Sequence, residues 1–214
     1  HCNAGALATM GIGTAVGVIT AGHKAGKVKR AYSCETRPYL QGARLTIWEL
    51  MREGVPSELI TDNMAGWLMK QGEVDLAIAG ADSIASCGDT ANKVGTYSLA
   101  VLCKAHNIPF FIAAPYSTID LKMESGSQIV IEQRNEREVC EVFGVRIPPK
   151  GTKAYNPAFD VTDASLITAI ITDRGVIYPG KQRLIGATQL LALKRFAGLA
   201  VPPKAWAKGR SNAG

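Results

Sequence analysis

Two reactive side chains, the Cys2 thiol and the Asp82 carboxyl, each stand just before small residues that we expect to open a helix. A helix start beside Cys2 predicts a lowered thiol pKa, as a reactive cysteine needs. The apolar run at 74–80 predicts a raised pKa for Asp82, as a general acid needs. The pair therefore indicates acid–base chemistry. The alternatives are a buried, inert cysteine and an aspartate that only caps a turn.

Three further side chains suit an anionic, hydroxylated ligand. Gln41 and Asn92 offer amide donors and Lys93 offers a cation, although a lysine at a predicted helix start is often simply solvated. Glycines around Gly11-x-Gly13 could free backbone amides for phosphate, or could serve tight helix–strand packing. Their spacing is not that of a dinucleotide-binding loop, because position 16 is Val. These residues indicate a small phosphorylated molecule as the ligand.

Apolar strands alternate with helical patterns along the chain. Strands are predicted at 28–34, 57–61, 74–80 and 109–114, and helices at 11–25, 41–53, 62–70, 92–106 and 163–172. This order predicts an α/β fold with a Rossmann-like, doubly wound, mostly parallel sheet and helices on both faces. Ligands of such sheets bind beyond the carboxyl ends of the strands, which here are Cys2, 35–37, 62–63, Asp82 and 115–118.

Composition narrows the class of protein. The chain is 47% hydrophobic and 20% charged, and no apolar run approaches the ~20 residues of a membrane span. Five scattered cysteines without CxxC spacing favour reduced thiols, and three histidines far apart in sequence argue against zinc. We therefore expect no metal site and no cofactor.

The net charge of +6 is concentrated at the end of the chain. Seven of the 24 basic residues and none of the 18 acidic ones lie in 181–214, so the rest is close to neutral. A solvated extension is favoured over a nucleic-acid-binding tail. We expect a catalytic domain at 1–180 and a basic extension at 181–214 that is partly helical or disordered.

Several long motifs closely resemble the methylthioribose-1-phosphate isomerase family. They are HCNAGALAT at 1–9, ETRPYLQGARLT at 35–46, ITDNM at 60–64, GAD at 80–82, GDTANKVGT at 88–96, AAPYSTID at 113–120 and NPAFDVT at 156–162. The resemblance covers about residues 1–178. It implies a Rossmann-like catalytic domain that follows a mostly helical N-terminal domain. We expect this chain to be the catalytic domain alone, with its first strand truncated and without that helical domain.

The resemblance also implies roles for the residues singled out above. Cys2 and Asp82 would be catalytic, and Gln41, Asn92 and Lys93 would bind substrate, while phosphate-binding arginines would come from the upstream domain. Ser83 and Cys87 depart from the arginine and asparagine usual in the family. The implied partners are a phosphorylated sugar, the upstream domain and a second copy in a homodimer, with no membrane and no nucleic acid. The implied location is the cytoplasm, with the nucleus as a second compartment.

The implied reaction converts 5-methylthioribose 1-phosphate to 5-methylthioribulose 1-phosphate in methionine salvage. Hydrogen would move between C2 and C1 either as a proton, with Cys2 as base, or as a hydride, with Cys2 stabilising the transition state. Two alternatives stay open. One is a ribose-1,5-bisphosphate isomerase, and the other is a non-enzymatic regulatory subunit of the translation-initiation guanine-nucleotide exchange factor, which we would expect to lack the Cys/Asp pair.

Overall fold

A computed structural model of the chain describes residues 1–9 and 11–179, so the extension predicted for 181–214 lies outside the described residues. The α-helices of this part are α1 (Ala6–Thr9), α2 (Ala15–Lys24), α3 (Ile47–Arg52), α4 (Ala65–Lys70), α5 (Thr96–Ala105) and α6 (Arg137–Cys140). A π-helical stretch, Gly42–Thr46, leads into α3. Short 3-10 turns occur at Asp62–Met64, Tyr116–Thr118, Gly126–Gln128 and Ala164–Leu166. Within these ranges no helix is long and apolar enough to cross a membrane.

The strands form two larger and two smaller sheets. They are β1 (Ala31–Cys34), β2 (Ser57–Ile60), β3 (Ala77–Ala79), β4 (Ser83–Ala85), β5 (Thr90–Lys93), β6 (Phe110–Ala113), β7 (Ile119–Asp120), β8 (Glu141–Val142), β9 (Val145–Arg146), β10 (Phe159–Thr162), β11 (Ala169–Thr172) and β12 (Gly175–Ile177). Their orders are β1-β2, β12-β11-β6-β3, β10-β5-β4-β7 and β8-β9. The pairs β1–β2, β3–β6, β6–β11 and β4–β7 are parallel. The predicted α/β class with parallel sheet segments is therefore confirmed.

The sheet β12-β11-β6-β3 carries packing on both faces, because neighbouring residues of a strand point to opposite sides. Ala79 and Ile112 pack in a core cluster with Leu99 of α5. Their neighbours Ile78 and Ala113 pack with Ala15 of α2. Helices therefore lie against both faces of this parallel segment.

Two helix predictions were wrong, and a third placed the start of its helix too early. The residues after Asp82 form β4 rather than a helix, and Asn92 and Lys93 belong to β5, so the helix predicted from 92 begins only at Thr96. Gly95 precedes it with φ 103°, a left-handed conformation that separates strand from helix.

The late helix predicted for 163–172 is also replaced, by a 3-10 turn and β11. Ile170 is fully buried within β11, which lies between β6 and β12. A β-branched run, Ile-Ile-Thr, suits that central strand better than a helix.

A cavity of about 510 Å³ lies between β1 and β3. Residues of both strands line it, yet the strand orders among the described residues place no strand between them. Val16 of α2 lines one side and Met69 of α4 another. At one end of the cavity, the amino nitrogen of His1 lies 3.5 Å from the Ile78 carbonyl oxygen.

Candidate active site

Cys2 is held through its backbone from both sides. Its N–H donates to Thr36 Oγ1 at 2.9 Å, and its carbonyl accepts a hydrogen bond from Thr46 Oγ1 at 2.7 Å. Both threonines are buried. The backbone of Cys2 is left-handed, with φ 63°, which is uncommon outside glycine. These hydrogen bonds restrain the backbone of Cys2, so its thiol is held in a fixed position rather than on a flexible loop.

A buried carboxylate anchors the residues that follow Cys2. Glu49 of α3 accepts the Asn3 side-chain amide at 3.0 Å and the Ala6 backbone N–H at 2.7 Å. Asn3 also donates to Thr46 Oγ1 at 3.2 Å. Gly5 packs so closely on Glu49 that a Cβ would collide with the carboxylate. The π-helical stretch and α3 therefore determine where the Cys2 loop lies.

A second carboxylate organises the turn that contains Thr36. Asp62 accepts the backbone N–H groups of Thr36 at 2.8 Å and of Arg37 at 2.7 Å. Thr36 is itself left-handed, with φ 65°. Such a φ is rare for a β-branched residue, and the two hydrogen bonds help to maintain it.

Asp82 reaches the same region on a regular hairpin. Its backbone N–H donates to the Ala91 carbonyl at 2.9 Å, just before β4 pairs antiparallel with β5. The hairpin therefore places Asp82 beside Asn92 and Lys93. The charges of Asp82 and Lys93 both act on the pKa of Cys2, so these three side chains lie near one another.

The predicted lowering of the Cys2 pKa was wrong. Burial of the thiol raises its pKa to about 11, and the Asp82 charge adds to that rise. The Asn3 backbone and Lys93 oppose the rise without overcoming it. The expected helix start is α1, a four-residue helix that begins only at Ala6, too short and too far from the thiol to stabilise a thiolate.

The predicted direction for Asp82 is confirmed. Although the residue as a whole is exposed, partial enclosure of its carboxyl raises the pKa, and the charge of Lys93 opposes the rise. A raised pKa favours the protonated acid. Cys2 and Asp82 are thus both displaced toward their neutral forms by loss of water.

The three predicted binding residues occupy different settings. Lys93 extends over the Phe159 ring, with Nζ 4.9 Å from the ring centre. Asn92 is buried, and its Nδ2 donates to Thr96 Oγ1 at 2.9 Å. Gln41 directly precedes the π-helical stretch. Its buried Oε1 has no hydrogen-bond partner among the described residues. Such an oxygen is available to a ligand hydroxyl.

Sequence reasoning also missed a cluster formed by His1, Cys34 and Asp62. Their ligand-type atoms all lie within 4.8 Å of one another, although 61 residues separate the ends of the set in sequence. The His1 ring bonds the Val94 carbonyl at 3.0 Å, and both Asp62 oxygens accept backbone N–H groups. The His1 bond joins the residue before Cys2 to Val94, which follows β5, and the Asp62 bonds join the 3-10 turn at Asp62–Met64 to the Thr36 turn.

The supporting residues Thr36, Thr46, Glu49 and Asp62 carried no individual signal in the sequence. The strand-end rule did include Thr36 and Asp62 among the positions worth attention. Thr46 and Glu49 lie within a helical pattern, where polar residues are ordinarily assigned to solvent. Only the structure shows both of them buried.

Comparison with known proteins identifies relatives across nearly all of the described residues. The model of the "Initiation factor 2 subunit family" matches residues 1–179. Methylthioribose-1-phosphate isomerase 1 of Pseudothermotoga lettingae is 62% identical over 179 residues, which cover 84% of this chain and 52% of that protein. The methylthioribose-1-phosphate isomerase of Thermotoga maritima is 63% identical over 179 residues, with the same two coverages.

Two solved structures are similar as well. The 5-methylthioribose 1-phosphate isomerase of Pyrococcus horikoshii OT3 superposes with a TM-score of 0.85 at 49% identity, covering 90% of this chain and 53% of that one. The translation initiation factor eIF-2B subunit delta from A. fulgidus superposes at 0.82 with 46% identity, covering 89% and 55%. The chain thus spans about half the length of the relatives it matches.

Proposed function

We propose that this chain, which belongs to the Initiation factor 2 subunit family, is the catalytic half of an isomerase acting on 5-methylthioribose 1-phosphate. The product would be 5-methylthioribulose 1-phosphate, an aldose–ketose conversion in methionine salvage. The observation that carries the proposal is the meeting of Cys2, Asp82 and Lys93 at one site. The identity to proteins named methylthioribose-1-phosphate isomerase supports the choice of substrate.

Asp82 suits the first chemical step. Phosphate on the anomeric oxygen prevents the sugar from opening by itself, so the ring oxygen must receive a proton. A carboxyl whose pKa is raised by loss of water holds that proton nearer to neutral pH than an ordinary aspartate does. Asp82 would then be the general acid that opens the ring.

Cys2 suits one of the two possible hydrogen transfers better than the other. A base in a proton transfer must first lose its own proton, which burial disfavours for this thiol. A hydride shift from C2 to C1 turns the C2 hydroxyl into the product carbonyl, and the Asp82 carboxylate left after ring opening would accept the proton released. Cys2 then need not ionise and would act only as a neutral hydrogen-bond donor. The raised pKa therefore supports the hydride shift.

Deuterium at C2 of the substrate separates the two routes. A hydride shift keeps the deuterium, and the product carries it at C1. A proton transfer exchanges part or all of it with solvent, which NMR of the product detects. Complete loss of the label would assign Cys2 the role of base.

Binding of the substrate would use the remaining predicted residues. Lys93 would meet negative charge on the phosphate or on the reacting oxygens. The unpartnered Oε1 of Gln41 would accept a hydrogen bond from a sugar hydroxyl. Asn92 would contribute its carbonyl oxygen, since its amide nitrogen already donates to Thr96.

The doubly wound form of the sheet is also a proposal. A strand leading into His1 would fit the cavity between β1 and β3, parallel to both, with helices on either face. The order would become β2-β1-new strand-β3-β6-β11-β12. Because such a strand is buried on both faces, it would be rich in Val, Ile and Leu.

Two N-terminal extensions of the chain test this completion. Val-Ile-Val-Ile-Val placed before His1 should raise the melting temperature and protect the amides of β1 and β3 from hydrogen exchange. Ser-Gly-Asn-Gly-Ser of equal length is the control. Equal protection with both extensions would show that the cavity does not accept a strand.

Two further predictions concern the oligomeric state and the location in the cell. Homodimer formation is supported by exposed apolar side chains on and beside the hairpin β8–β9, where Phe143 is 80% and Val145 68% exposed. Sedimentation of the wild type and of Phe143→Ser would test that surface. Location in the cytoplasm and nucleus remains a prediction from the family resemblance.

The function itself is tested by joining this chain to the part of a relative that it does not match. Residues 1–179 would be joined to the part of the Thermotoga maritima relative that precedes the matched region, and turnover of 5-methylthioribose 1-phosphate and of ribose 1,5-bisphosphate would be compared. We expect activity on the first substrate, and little from residues 1–214 alone. Preference for the bisphosphate would change the substrate, and a folded but inactive chimera would favour a non-enzymatic role.

A further inference from the structure

We propose that Thr36 and Thr46 form a clamp that keeps Cys2 in a strained, left-handed backbone conformation, and that this strain aims its thiol. Both threonines act as positioning residues through the backbone of Cys2. The part of the proposal that concerns catalysis rests on the isomerase function proposed above. The part that concerns strain is independent of it.

The strain follows from the backbone angles. At φ 63° the Cβ of Cys2 crowds the backbone, which is why residues other than glycine avoid this region. Such conformations persist where surrounding contacts determine them fully, and they concentrate at functional sites. Cys2 is one of few non-glycine residues with positive φ among the described residues, and its hydrogen-bond partner Thr36 is another.

The contacts needed to maintain that conformation are present on both sides of Cys2. Thr36 accepts its N–H, donates to the Cys34 carbonyl at 3.0 Å, and is fully buried. Thr46 donates to the Cys2 carbonyl and accepts from Asn3. Both peptide groups flanking the Cys2 Cα are therefore restrained.

The direction of the thiol depends on this clamp. The bond from Cα to Cβ is determined by the orientation of the two flanking peptides, so a return to ordinary φ would swing Cβ and Sγ to another side of the chain. Cys2 now lies where the charges of Lys93 and Asp82 act on it. A relaxed backbone would move the thiol away from both groups.

A stability cycle tests the strain without any assay of activity. In the 214-residue chain, the melting temperatures of Cys2→Gly and Cys2→Ala are compared, first with Thr46 and then with Thr46→Val. Glycine relieves left-handed strain and alanine does not, while their difference in the unfolded chain is the same in both backgrounds. We expect the Gly-minus-Ala difference to fall by about 2 to 4 °C when Thr46 is replaced.

A matched control is available in the core. Thr162 is as buried as Thr36, and its Oγ1 has no hydrogen-bond partner among the described residues. In a Thr162→Val background the Gly-minus-Ala difference should stay at its original value. An unchanged difference with Thr46→Val, in protein that still unfolds cooperatively, would overturn the clamp.

The catalytic consequence is measured in the active chimera. Thr46→Val should lower kcat by about tenfold or more with KM within about twofold, because the thiol is misplaced while binding groups remain. Thr46→Ser keeps the hydroxyl and should restore most of kcat. Equal losses with Val and Ser would mean that packing, not the hydrogen bond, is what Thr46 provides. A positive stability cycle with no active chimera would retain the strain and reject the proposed function.

Discussion

The two halves of the candidate site are built in opposite ways. Cys2 lies in an irregular loop, where left-handed residues and single side-chain hydrogen bonds determine its place. Asp82 and Lys93 lie at the open end of a β-hairpin whose backbone ladder determines their positions. The contrast indicates different demands, since an acid needs a particular environment whereas the thiol needs a particular direction.

The largest effect should come from removing either reactive group. In the active chimera, Cys2→Ser and Asp82→Asn should each lower kcat by about 10²-fold or more, the scale of general acid–base effects. The double variant should be scarcely slower than the poorer single variant, because groups that act as a unit are not additive. Steady-state kinetics measures all three.

Cys87→Ser and Asp120→Asn are matched controls outside the pair, and both should retain kcat within about twofold. Wild-type kcat in a folded Cys2 or Asp82 variant would remove that residue from the mechanism. Losses that multiply in the double variant would show two independent roles instead of one unit.

The irregular, Cys2 half of the site should also be the more destabilised when a single methyl group is added. A Cβ at Gly42 would collide with the Cys34 carbonyl oxygen, which is rigid backbone. Gly42→Ala should therefore cost about 3 kcal/mol of unfolding free energy, the upper range of overpacking effects. Denaturant unfolding measures the loss.

Gly66→Ala is the control for that substitution. Its added methyl would meet the flexible Leu102 side chain at 3.2 Å and lie in helix α4, where alanine is a better helix former. We expect a change within about 1 kcal/mol. Similar losses at both glycines would show that the Cys34–Gly42 contact is not specially tight.

Glu49→Gln, in the Cys2 half of the site, should lower the unfolding free energy by a smaller amount. The amide keeps one acceptor oxygen, but its NH₂ group would face either the Asn3 amide or the Ala6 N–H, both of which are donors. A buried, mismatched hydrogen bond costs about 1–3 kcal/mol. Unfolding of Glu49→Gln beside the exposed Glu58→Gln tests this expectation, which fails if the two variants are equally stable.

The smallest effects concern pH and have opposite signs at two aspartates. The pKa of Asp82 is raised, so the stability it contributes is present at low pH and is lost as pH rises through the folded pKa. Asp82→Asn should therefore raise the melting temperature at pH 7. That gain should vanish at about pH 3, where both proteins are neutral at this position.

Asp89 provides the contrasting case. Burial alone would raise its pKa, but hydrogen bonds from the Ala164 and Gly126 backbone N–H groups outweigh burial and lower it. Its contribution is therefore present above the unfolded pKa and is lost as pH falls. Asp89→Asn should lower the melting temperature at pH 7, and this loss should shrink as pH falls through the folded pKa of Asp89. Shifts of the same sign at both positions would contradict these pKa directions.

The sequence predicted the regular parts of the molecule better than the irregular ones. Apolar runs located β3 and β6, because burial of a strand leaves a signal in its own residues. The helix predicted at 163–172 failed because β11 is determined by its neighbours β6 and β12, which lie elsewhere in the chain. Asn92 and Lys93 were assigned to a helix for the same reason, since their pairing with β10 is remote in sequence.

In the candidate site, too, features set by local sequence could be predicted and features set by distant contacts could not. The raised pKa of Asp82 followed from the apolar strand before it, which is local information. The raised pKa of Cys2 could not be predicted, because burial of the thiol depends on how distant segments pack around it. The threonines that hold Cys2 were equally invisible, as a hydroxyl carries no sign of its partner.

The hydrogen bonds that hold His1 and Cys2 join residues that are far apart in sequence, and this distance bears on the order of folding. Cys2 bonds Thr36 and Thr46 across 34 and 44 residues, and His1 bonds Val94 across 93. Contacts of such high contact order form only after long loops have closed, so they come late in folding. The Asp82 hairpin, by contrast, closes over a few residues. During refolding, the acid should therefore take up its native position before the thiol, and competence for chemistry should appear only with the last long-range closure.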